Sequence, residues 1–230
     1  MKNLWKITLI ATFFGLIAVA PIQSQDNAVR LDHFDEIRVR GDVEVILEEG
    51  ATESARLEAM NISEDKVKIE VKKGTLKVSL LNSVFSKDGK VKVYVTYQTL
   101  RSARASAGGR ITGRGTISGD KLEARAGSGA VVELAVAMNA LDIRAKEGGE
   151  VALSGTSKRQ NVSVSTGGHY KGLELETATT YIKANTGGLA DVHVINMLEV
   201  SANTGGIVNY KGNPNETSFK EFMSGGITKL

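Results

Sequence analysis

The stretches Ser163–Gly168 (SVSTGG), Lys183–Gly188 (KANTGG) and Ser201–Gly206 (SANTGG) decide the fold of this chain. They are copies of a short pattern that ends in a glycine pair. Similar pairs recur on both sides, and we call each pair a mark. The seven marks are Gly108-Gly109, Ser128-Gly129, Gly148-Gly149, Gly167-Gly168, Gly187-Gly188, Gly205-Gly206 and Gly225-Gly226. Successive marks are 20, 20, 19, 20, 18 and 20 residues apart. A repeat of this length indicates a stacked β structure, in which each unit buries its apolar face only against its neighbours.

Apolar and polar residues alternate between the marks, as they do in a strand with one buried face. In the repeat before Gly149, for example, Leu141, Ile143 and Ala145 alternate with Asp142 and Arg144. We call one repeat of about 20 residues a rung. Each rung is therefore expected to place one row of side chains in the core and one in water. A second strand follows each mark, as at 151–153, 173–175 and 192–194.

Glycine recurs at the marks for two physical reasons. A tight turn needs residues with positive φ, which glycine adopts without steric penalty, and adjacent rungs lie only about 4.8 Å apart. The pattern predicts an all-β, parallel β-helix-like solenoid with about 20 residues per rung and Gly-Gly at one turn. The predicted turn glycines are Gly108, Gly109, Gly129, Gly148, Gly149, Gly167, Gly168, Gly187, Gly188, Gly205, Gly206, Gly225 and Gly226. The Asn and Thr residues before Gly187 and Gly205 are placed to form side-chain ladders between rungs.

The composition agrees with such a fold. The 230 residues are 41% hydrophobic but only 5% aromatic, so the core must be built from Val, Leu, Ile and Ala. There are 25 glycines and 2 prolines, which suits tight turns between strands. The chain has no cysteine, and it therefore has no disulfide and no thiolate metal site.

Residues 1–25 are predicted to be a cleaved signal peptide. Lys2 and Lys6 precede an apolar run of 14 residues, ITLIATFFGLIAVA, which is shorter than the roughly 20 residues of a membrane span. Cleavage is expected between Pro21 and Asn27, with an uncleaved anchor as the alternative. The protein is then expected in the periplasm, on the outer-membrane surface or outside the cell, with no membrane span in the mature chain. Loss of the two lysines leaves 27 basic against 26 acidic residues, which gives no case for a nucleic-acid partner.

The rest of the chain divides into two segments. Residues 26–100 read as short strands of irregular length, such as Ile37 and Val39 alternating with Arg38 and Arg40, and we expect them to form an N-terminal β cap. Residues 101–230 are expected to form the repeat solenoid, continuous with the cap.

Known catalytic and metal motifs do not fit the sequence. A calcium-binding β-roll needs aspartates between its glycines, whereas Arg110, Ala130 and Glu150 follow the first marks. The run Gly108–Gly113 lacks the Gly-Lys-Ser/Thr of a phosphate loop. The three histidines lie far apart, and we interpret them as surface or turn residues. We therefore predict no catalytic residue, no cofactor and no metal.

The period places one set of polar side chains on a common outward sheet. This predicted ligand face consists of Asp142, Arg144, Asn161, Ser163, Tyr181, Lys183, Glu199 and Ser201. An aromatic ring flanked by hydrogen-bonding groups suits a sugar chain or an extended peptide. The alternative is that these residues only keep the sheet soluble.

The opening Phe34–Ile37 (FDEI) through Gly41–Val45 (GDVEV), the serial Gly-Gly rungs, and the closing Ile207–Pro214 (IVNYKGNP) together resemble one known family. This is the head GIN domain family of "putative auto-transporter adhesins" from envelopes of Bacteroidetes-type bacteria. The resemblance covers the chain from about residue 30 onward. It implies a right-handed parallel β-helix-like fold, export, and no established activity.

Three functions stay open on these grounds. The first is an exported, non-enzymatic binding, adhesion or structural module of the cell envelope, whose partner is a glycan or an envelope or surface protein. The second is a carbohydrate-active enzyme, a polysaccharide lyase or hydrolase, that uses the polar outward face. The third is a protein that self-associates through the ends of the stack.

Overall fold

The computed structural model describes residues 28–80 and 89–230, and the predicted signal peptide at 1–25 lies outside these residues. The first eight strands are β1 Val29–Arg30, β2 Glu36–Arg40, β3 Glu44–Glu49, β4 Ser54–Met60, β5 Val67–Lys72, β6 Thr75–Leu80, β7 Lys90–Tyr97 and β8 Ser102–Ser106. The other eight are β9 Arg110–Gly127, β10 Val131–Lys146, β11 Glu150–Ser165, β12 His169–Asn185, β13 Leu189–Asn203, β14 Ile207–Lys211, β15 Glu216–Phe222 and β16 Gly226–Lys229. One 3₁₀ turn, Glu64–Lys66, separates β4 from β5.

The strands form a β-solenoid of about 7 turns with about 19 residues per turn, which confirms the predicted fold class. In the regular part, one long strand makes a whole rung and bends near its middle. The first halves of β9 to β13 pair in parallel as sheet A, which β14 and β16 continue. The second halves pair as sheet B, which β15 continues.

The core lies between the two sheets and consists of columns of small and branched side chains. In sheet B, for example, Leu141, Ile143 and Ala145 are buried, and they stand in register with Gln160, Val162 and Val164 of the next rung. Burial alternates with exposure along β10 to β13, as the sequence pattern predicted. The core contains few aromatic side chains because the side chains of each column stack at the narrow spacing between adjacent rungs.

The turns at the marks share one backbone geometry. At 185–188, Thr186 (φ 48°) and Gly187 (φ 68°) both have positive φ, and the Gly188 amide donates to the Asn185 carbonyl at 2.9 Å. Two successive positive φ values closed by such a bond define a type I′ turn. In five of the marks the first glycine occupies the left-handed region, which glycine adopts without steric penalty, namely Gly108, Gly148, Gly167, Gly187 and Gly205. The predicted side-chain ladder forms at the asparagines, since Asn203 Nδ2 donates to Asn185 Oδ1 at 3.1 Å.

The second glycine of a mark has a different role. A Cβ on Gly168 would lie 2.2 Å from the Ala145 carbonyl oxygen, and one on Gly206 would lie 2.3 Å from that of Ala184. These positions are therefore glycine because the backbone of the preceding rung passes against them. By contrast, a Cβ on the first glycine, Gly167 or Gly187, meets nothing within 4 Å.

Two of the predicted marks are displaced by one residue. At 127–130, Ser128 and Gly129 have positive φ and Ala130 takes the place of the second glycine. At the last mark the turn residues are Met223 and Ser224, Gly225 is the second glycine, and Gly226 already begins β16. The prediction that Gly226 is a turn glycine is therefore wrong. Ser224 tolerates the left-handed position, and the turn lies one residue earlier than predicted.

The first prediction concerns a β-branched residue at the left-handed glycine. We expect Gly187→Val or Gly205→Val to lower the free energy of unfolding by about 1–3 kcal/mol, because Val is strained at φ 68° or 74°. Urea unfolding of each variant against the parent protein measures this value. Neutral results at both positions would contradict the role of the first glycine.

The described part of the segment 26–100, which was expected to form an N-terminal cap, is not wound in chain order. Strand β2 pairs in parallel with β6 on one side and with β8 on the other, and β3 lies between β7 and β9. The rung made by β2 and β3 is thus inserted between two rungs that follow it in sequence. The antiparallel strands β4 and β5 then cover that end of the stack. At the other end, the whole of β15 is exposed.

A hydrogen-bonded polar cluster interrupts the apolar core between β11 and β12. Gln160, Tyr170, Thr177 and Thr180 are each 0% exposed. The Tyr170 hydroxyl donates to Gln160 Oε1 at 2.7 Å, and Gln160 Nε2 donates to Thr180 Oγ1 at 3.0 Å and Thr177 Oγ1 at 3.2 Å. Thr177 in turn donates to the His193 carbonyl at 2.9 Å, so the cluster links three rungs. Burial raises the pKa of Tyr170, which keeps its hydroxyl a neutral donor.

Candidate functional site

The predicted ligand face is a single groove on the outer side of sheet B. All eight predicted residues line it, together with the flanking Ile143, Val162 and Ile182, and its volume is about 420 Å³. Strand register sets their order, since Asp142, Asn161, Tyr181 and Glu199 succeed one another across four rungs. Arg144, Ser163, Lys183 and Ser201 form a second row beside them. We call this surface the sheet B groove.

Tyr181 is the aromatic residue of the sheet B groove and is half-buried there. Its hydroxyl lies 3.9 Å from the sulfur of Met197, a weak partner that leaves most of its hydrogen-bonding capacity available. Arg144 Nε lies 3.4 Å from Asp142 Oδ1. The groove thus offers the ring face of Tyr181, the paired cation Arg144, the unpaired cation Lys183, and several hydroxyl and amide groups.

The same outward surface carries a charge pattern that extends beyond the groove. Three rows of outward residues run through sheet B, from β6, β2 and β8 at its N-terminal end to β15, and the strands from β9 onward carry a fourth row that includes Lys121 and Arg159. Seven of the nine central positions are cations, and we call this row the basic column. In order along the stack it reads Lys77, Arg38, Arg104, Arg125, Arg144, Ser163, Lys183, Ser201 and Lys220.

A row of polar and acidic residues runs beside the basic column, two residues earlier on each strand. It consists of Thr75, Glu36, Ser102, Glu123, Asp142, Asn161, Tyr181, Glu199 and Ser218. Together with the third row, which adds the cations Arg40 and Lys146, this three-row surface carries nine cations and four carboxylates. Its net charge of +5 exceeds the +3 of the whole chain.

Glu123 is the carboxylate most closely held by the basic column. It accepts hydrogen bonds from Arg104 and, at 2.6 Å, from Arg125 Nη2. Burial raises the pKa of Glu123, but the hydrogen bonds and charges of Arg104, Arg125 and Ser102 outweigh burial and leave the pKa below its usual range. Glu123 is therefore an anion that orients two arginines and is unsuited to act as a general acid.

Sheet A carries a groove that the sequence did not reveal. Its volume is about 590 Å³, and its lining includes His169, Lys171, Glu174 and Asp191 around the apolar Leu153 and Leu173. His169 Nε2 lies 2.7 Å from Asp191 Oδ2, and Asn209 Nδ2 donates to Asp191 Oδ1 at 2.8 Å. The sequence predicts a surface or turn position for His169, and the structure places this residue half-buried, directly after its turn. The His169–Asp191 pair becomes visible only when the two neighbouring rungs β12 and β13 are aligned in register.

The carboxylates of the sheet B groove do not have the spacing of a glycosidase site. In the sheet B groove the carboxylates Asp142 and Glu199 are three rungs apart, or about 14 Å at the usual strand spacing. Glycosidase carboxylates lie between about 5 and 9.5 Å apart. Over residues 28–80 and 89–230, the structure contains no cluster of three or more His, Asp or Glu side chains suited to a metal ion. The same residues include no helix that could span a membrane.

Comparisons with known proteins agree with this geometry. A family described as "Putative auto-transporter adhesin, head GIN domain" matches residues 33–214. The structure is similar to a crystal structure titled a putative adhesin from Bacteroides fragilis NCTC 9343, with TM-score 0.78, 15% identity, and coverage of 88% of this chain and 95% of that one.

Two structures from Parabacteroides distasonis ATCC 8503 are also similar, each at 18% identity and with the same coverage of 88% and 95%. One is titled a putative adhesin (TM-score 0.70), and the other a putative lipid binding protein (TM-score 0.67). At these identities the likeness concerns the fold. No curated protein matches the sequence significantly.

Proposed function

Because the chain belongs to the head GIN domain family of "putative auto-transporter adhesins", we propose that it is an exported, non-enzymatic binding module of the bacterial cell envelope. Its ligand-contacting surface is the sheet B groove, and its ligand is an extended chain, a glycan or a peptide strand of a surface partner. Family membership and the adhesin-like neighbours support an adhesion-type role. The apolar run in residues 1–25 supports export.

One observation carries the assignment to the sheet B groove. Eight outward residues from four successive rungs line a single concave surface, with Tyr181 in the central part and polar groups on both sides. An exposed ring face packs against the apolar face of a sugar or against a peptide side chain, and the neighbouring hydroxyls and charges fix its orientation. The groove is open along the stack, which suits a ligand longer than one unit.

The geometry does not favour catalysis in this groove. A lyase or hydrolase would need an acid and a base close to the same bond. Asp142 is paired with Arg144, and Glu199 stands about 14 Å away from it along the stack. Binding therefore accounts for the arrangement better than turnover does.

The test is a double substitution within the groove. Tyr181→Ala combined with Lys183→Ala should change the free energy of unfolding by less than about 0.5 kcal/mol per site, because both side chains lie on the outer face. For a ligand selected on a glycan array or from envelope proteins, affinity should fall at least tenfold, or about 1.4 kcal/mol. Titration calorimetry with the selected ligand measures the change.

The matched control is the Tyr-Lys pair on the opposite face, Tyr94 and Lys92 of β7. Lys92 pairs with Glu44 at 3.2 Å, and Arg56 stacks 4.1 Å from the Tyr94 ring centroid, so both side chains belong to the surface of sheet A. The control variant Tyr94→Ala/Lys92→Ala should bind like the parent protein. An unchanged affinity in the Tyr181/Lys183 variant, or an equal loss in the control, would place the ligand elsewhere.

A further inference from the structure

We propose that the ligand of sheet B is an anionic polysaccharide that lies along the basic column, parallel to the axis of the solenoid. This inference rests on the proposed function, because the column passes through the sheet B groove at Arg144 and Lys183. It extends that function by naming the charge, the direction and the length of the bound chain. The column runs over eight rung steps from Lys77 to Lys220, or about 38 Å.

The first argument is the electrostatic cost of the column. Lys77, Arg38, Arg104, Arg125 and Arg144 stand directly opposite one another on five successive strands. Like charges at directly opposed positions of neighbouring strands destabilise a sheet. Glu36, Glu123 and Asp142, together with Glu70 opposite Lys77 on β5, offset part of this repulsion. Lys183 and Lys220, however, form no ion pair with any described residue. The unfavourable arrangement is explained if a bound anion supplies the remaining negative charge.

The second argument is the contrast with sheet A, which has the same strand spacing. There the cations pair with acids of a neighbouring rung, as in Lys171–Glu150 (2.8 Å), Arg114–Glu48 (3.7 Å) and Arg110–Glu133 (3.9 Å). Sheet A shows that this fold readily alternates charge across rungs. The stacking of cations is therefore a specific property of sheet B and not a consequence of the solenoid.

The third argument selects the class of polyanion. The column is one cation wide, and its repeat of about 4.8 Å is close to the length of one sugar unit in an extended polysaccharide. A chain with one carboxylate or sulfate on each sugar can follow the column while its rings contact Tyr181. Duplex DNA carries one charge per about 1.7 Å of its axis, so its phosphates would lie close to the carboxylates that flank the column and be repelled by them. A flat lipid surface would cover the same carboxylates without an apolar face to insert.

The experiment measures binding of defined polymers to the protein at several NaCl concentrations. The probes are polygalacturonate and heparin oligosaccharides, with fully methyl-esterified polygalacturonate as the matched neutral chain. Phosphatidylglycerol vesicles and duplex DNA are measured beside them. We expect at least tenfold tighter binding of one of the two anionic probes than of the ester. This preference should weaken as salt rises, because exposed charges are screened.

Two charge variants locate the site. The column variant is the triple substitution Lys77→Gln/Arg38→Gln/Lys220→Gln, which removes cations of the basic column outside the sheet B groove. It should lower affinity for the anionic probe at least tenfold. The control is the triple substitution Arg110→Gln/Arg114→Gln/Lys171→Gln, which removes the same charge from sheet A. It should change affinity less than twofold. Thermal unfolding of both variants should resemble that of the parent protein, so that a loss of affinity is not caused by a loss of stability.

Each other outcome is decisive. Failure to bind either anionic probe, equal binding of the neutral ester, or equal loss in the two charge variants overturns the polyanion inference. Binding only to phosphatidylglycerol vesicles or only to duplex DNA overturns it as well, in favour of a membrane or a nucleic acid. If the column variant loses affinity while the Tyr181/Lys183 variant keeps it, the polyanion inference stands and the groove proposal fails. If the ester binds equally and Tyr181/Lys183 matters, the groove proposal stands alone.

Discussion

Gly168→Ala is expected to destabilise the protein by on the order of 3 kcal/mol or more, although it adds only one methyl group. A Cβ at this position would lie 2.2 Å from the Ala145 carbonyl oxygen and 2.6 Å from the Lys146 amide nitrogen. Backbone atoms cannot rotate away as a side chain can. The two rungs must therefore separate locally, which weakens the ladder of hydrogen bonds and the core columns beneath it. Urea unfolding, with far-ultraviolet circular dichroism as the probe, measures the loss.

The matched control is the adjacent glycine. Gly167 has φ 70°, and a Cβ there meets nothing within 4 Å. Because Asn tolerates the left-handed region better than most residues, Gly167→Asn should cost less than about 1 kcal/mol. If Gly168→Ala were as mild as Gly167→Asn, the close approach between rungs would not be the reason for the second glycine.

Tyr170→Phe is the second substitution with a large expected effect. It removes the donor of the 2.7 Å hydrogen bond to Gln160 Oε1 inside a fully buried cluster. Leaving a buried acceptor without a partner costs about 1–3 kcal/mol, and we expect a loss of about 2 kcal/mol in the free energy of unfolding. The half-buried Tyr181 provides a control, since Tyr181→Phe should change stability by less than about 0.5 kcal/mol.

A double-mutant cycle separates the hydrogen bond from changes in packing. Gln160→Leu alone leaves the Tyr170 hydroxyl without its acceptor, whereas the double variant with Tyr170→Phe removes both groups. The loss in the double variant should therefore be smaller than the sum of the two single losses by about 1 kcal/mol. Strict additivity would mean that the hydrogen bond contributes nothing measurable to stability.

The sequence by itself determined the repeat, because the physical cause of the repeat is local. A type I′ turn needs positive φ within two adjacent residues, and alternation assigns each side chain to one face without knowledge of its partners. Gly187 at its turn, Leu141 and Ile143 in the core, and Arg144 and Lys183 outside could all be placed in this way. Even the groove residues could be grouped correctly, since rungs of nearly equal length stay in register.

Tertiary structure alone decided the properties that depend on which rungs are neighbours. The chain order does not show that β2 and β3 are inserted between later rungs, so it could not bring Arg38 beside Lys77 and Arg104. The basic column is for this reason invisible in a near-neutral sequence. The Gln160–Tyr170 hydrogen bond and the His169–Asp191 pair likewise join residues 10 and 22 positions apart on different rungs. Long-range strand pairing depends on the summed energy of the whole stack, whereas turns and alternation are set within a few residues.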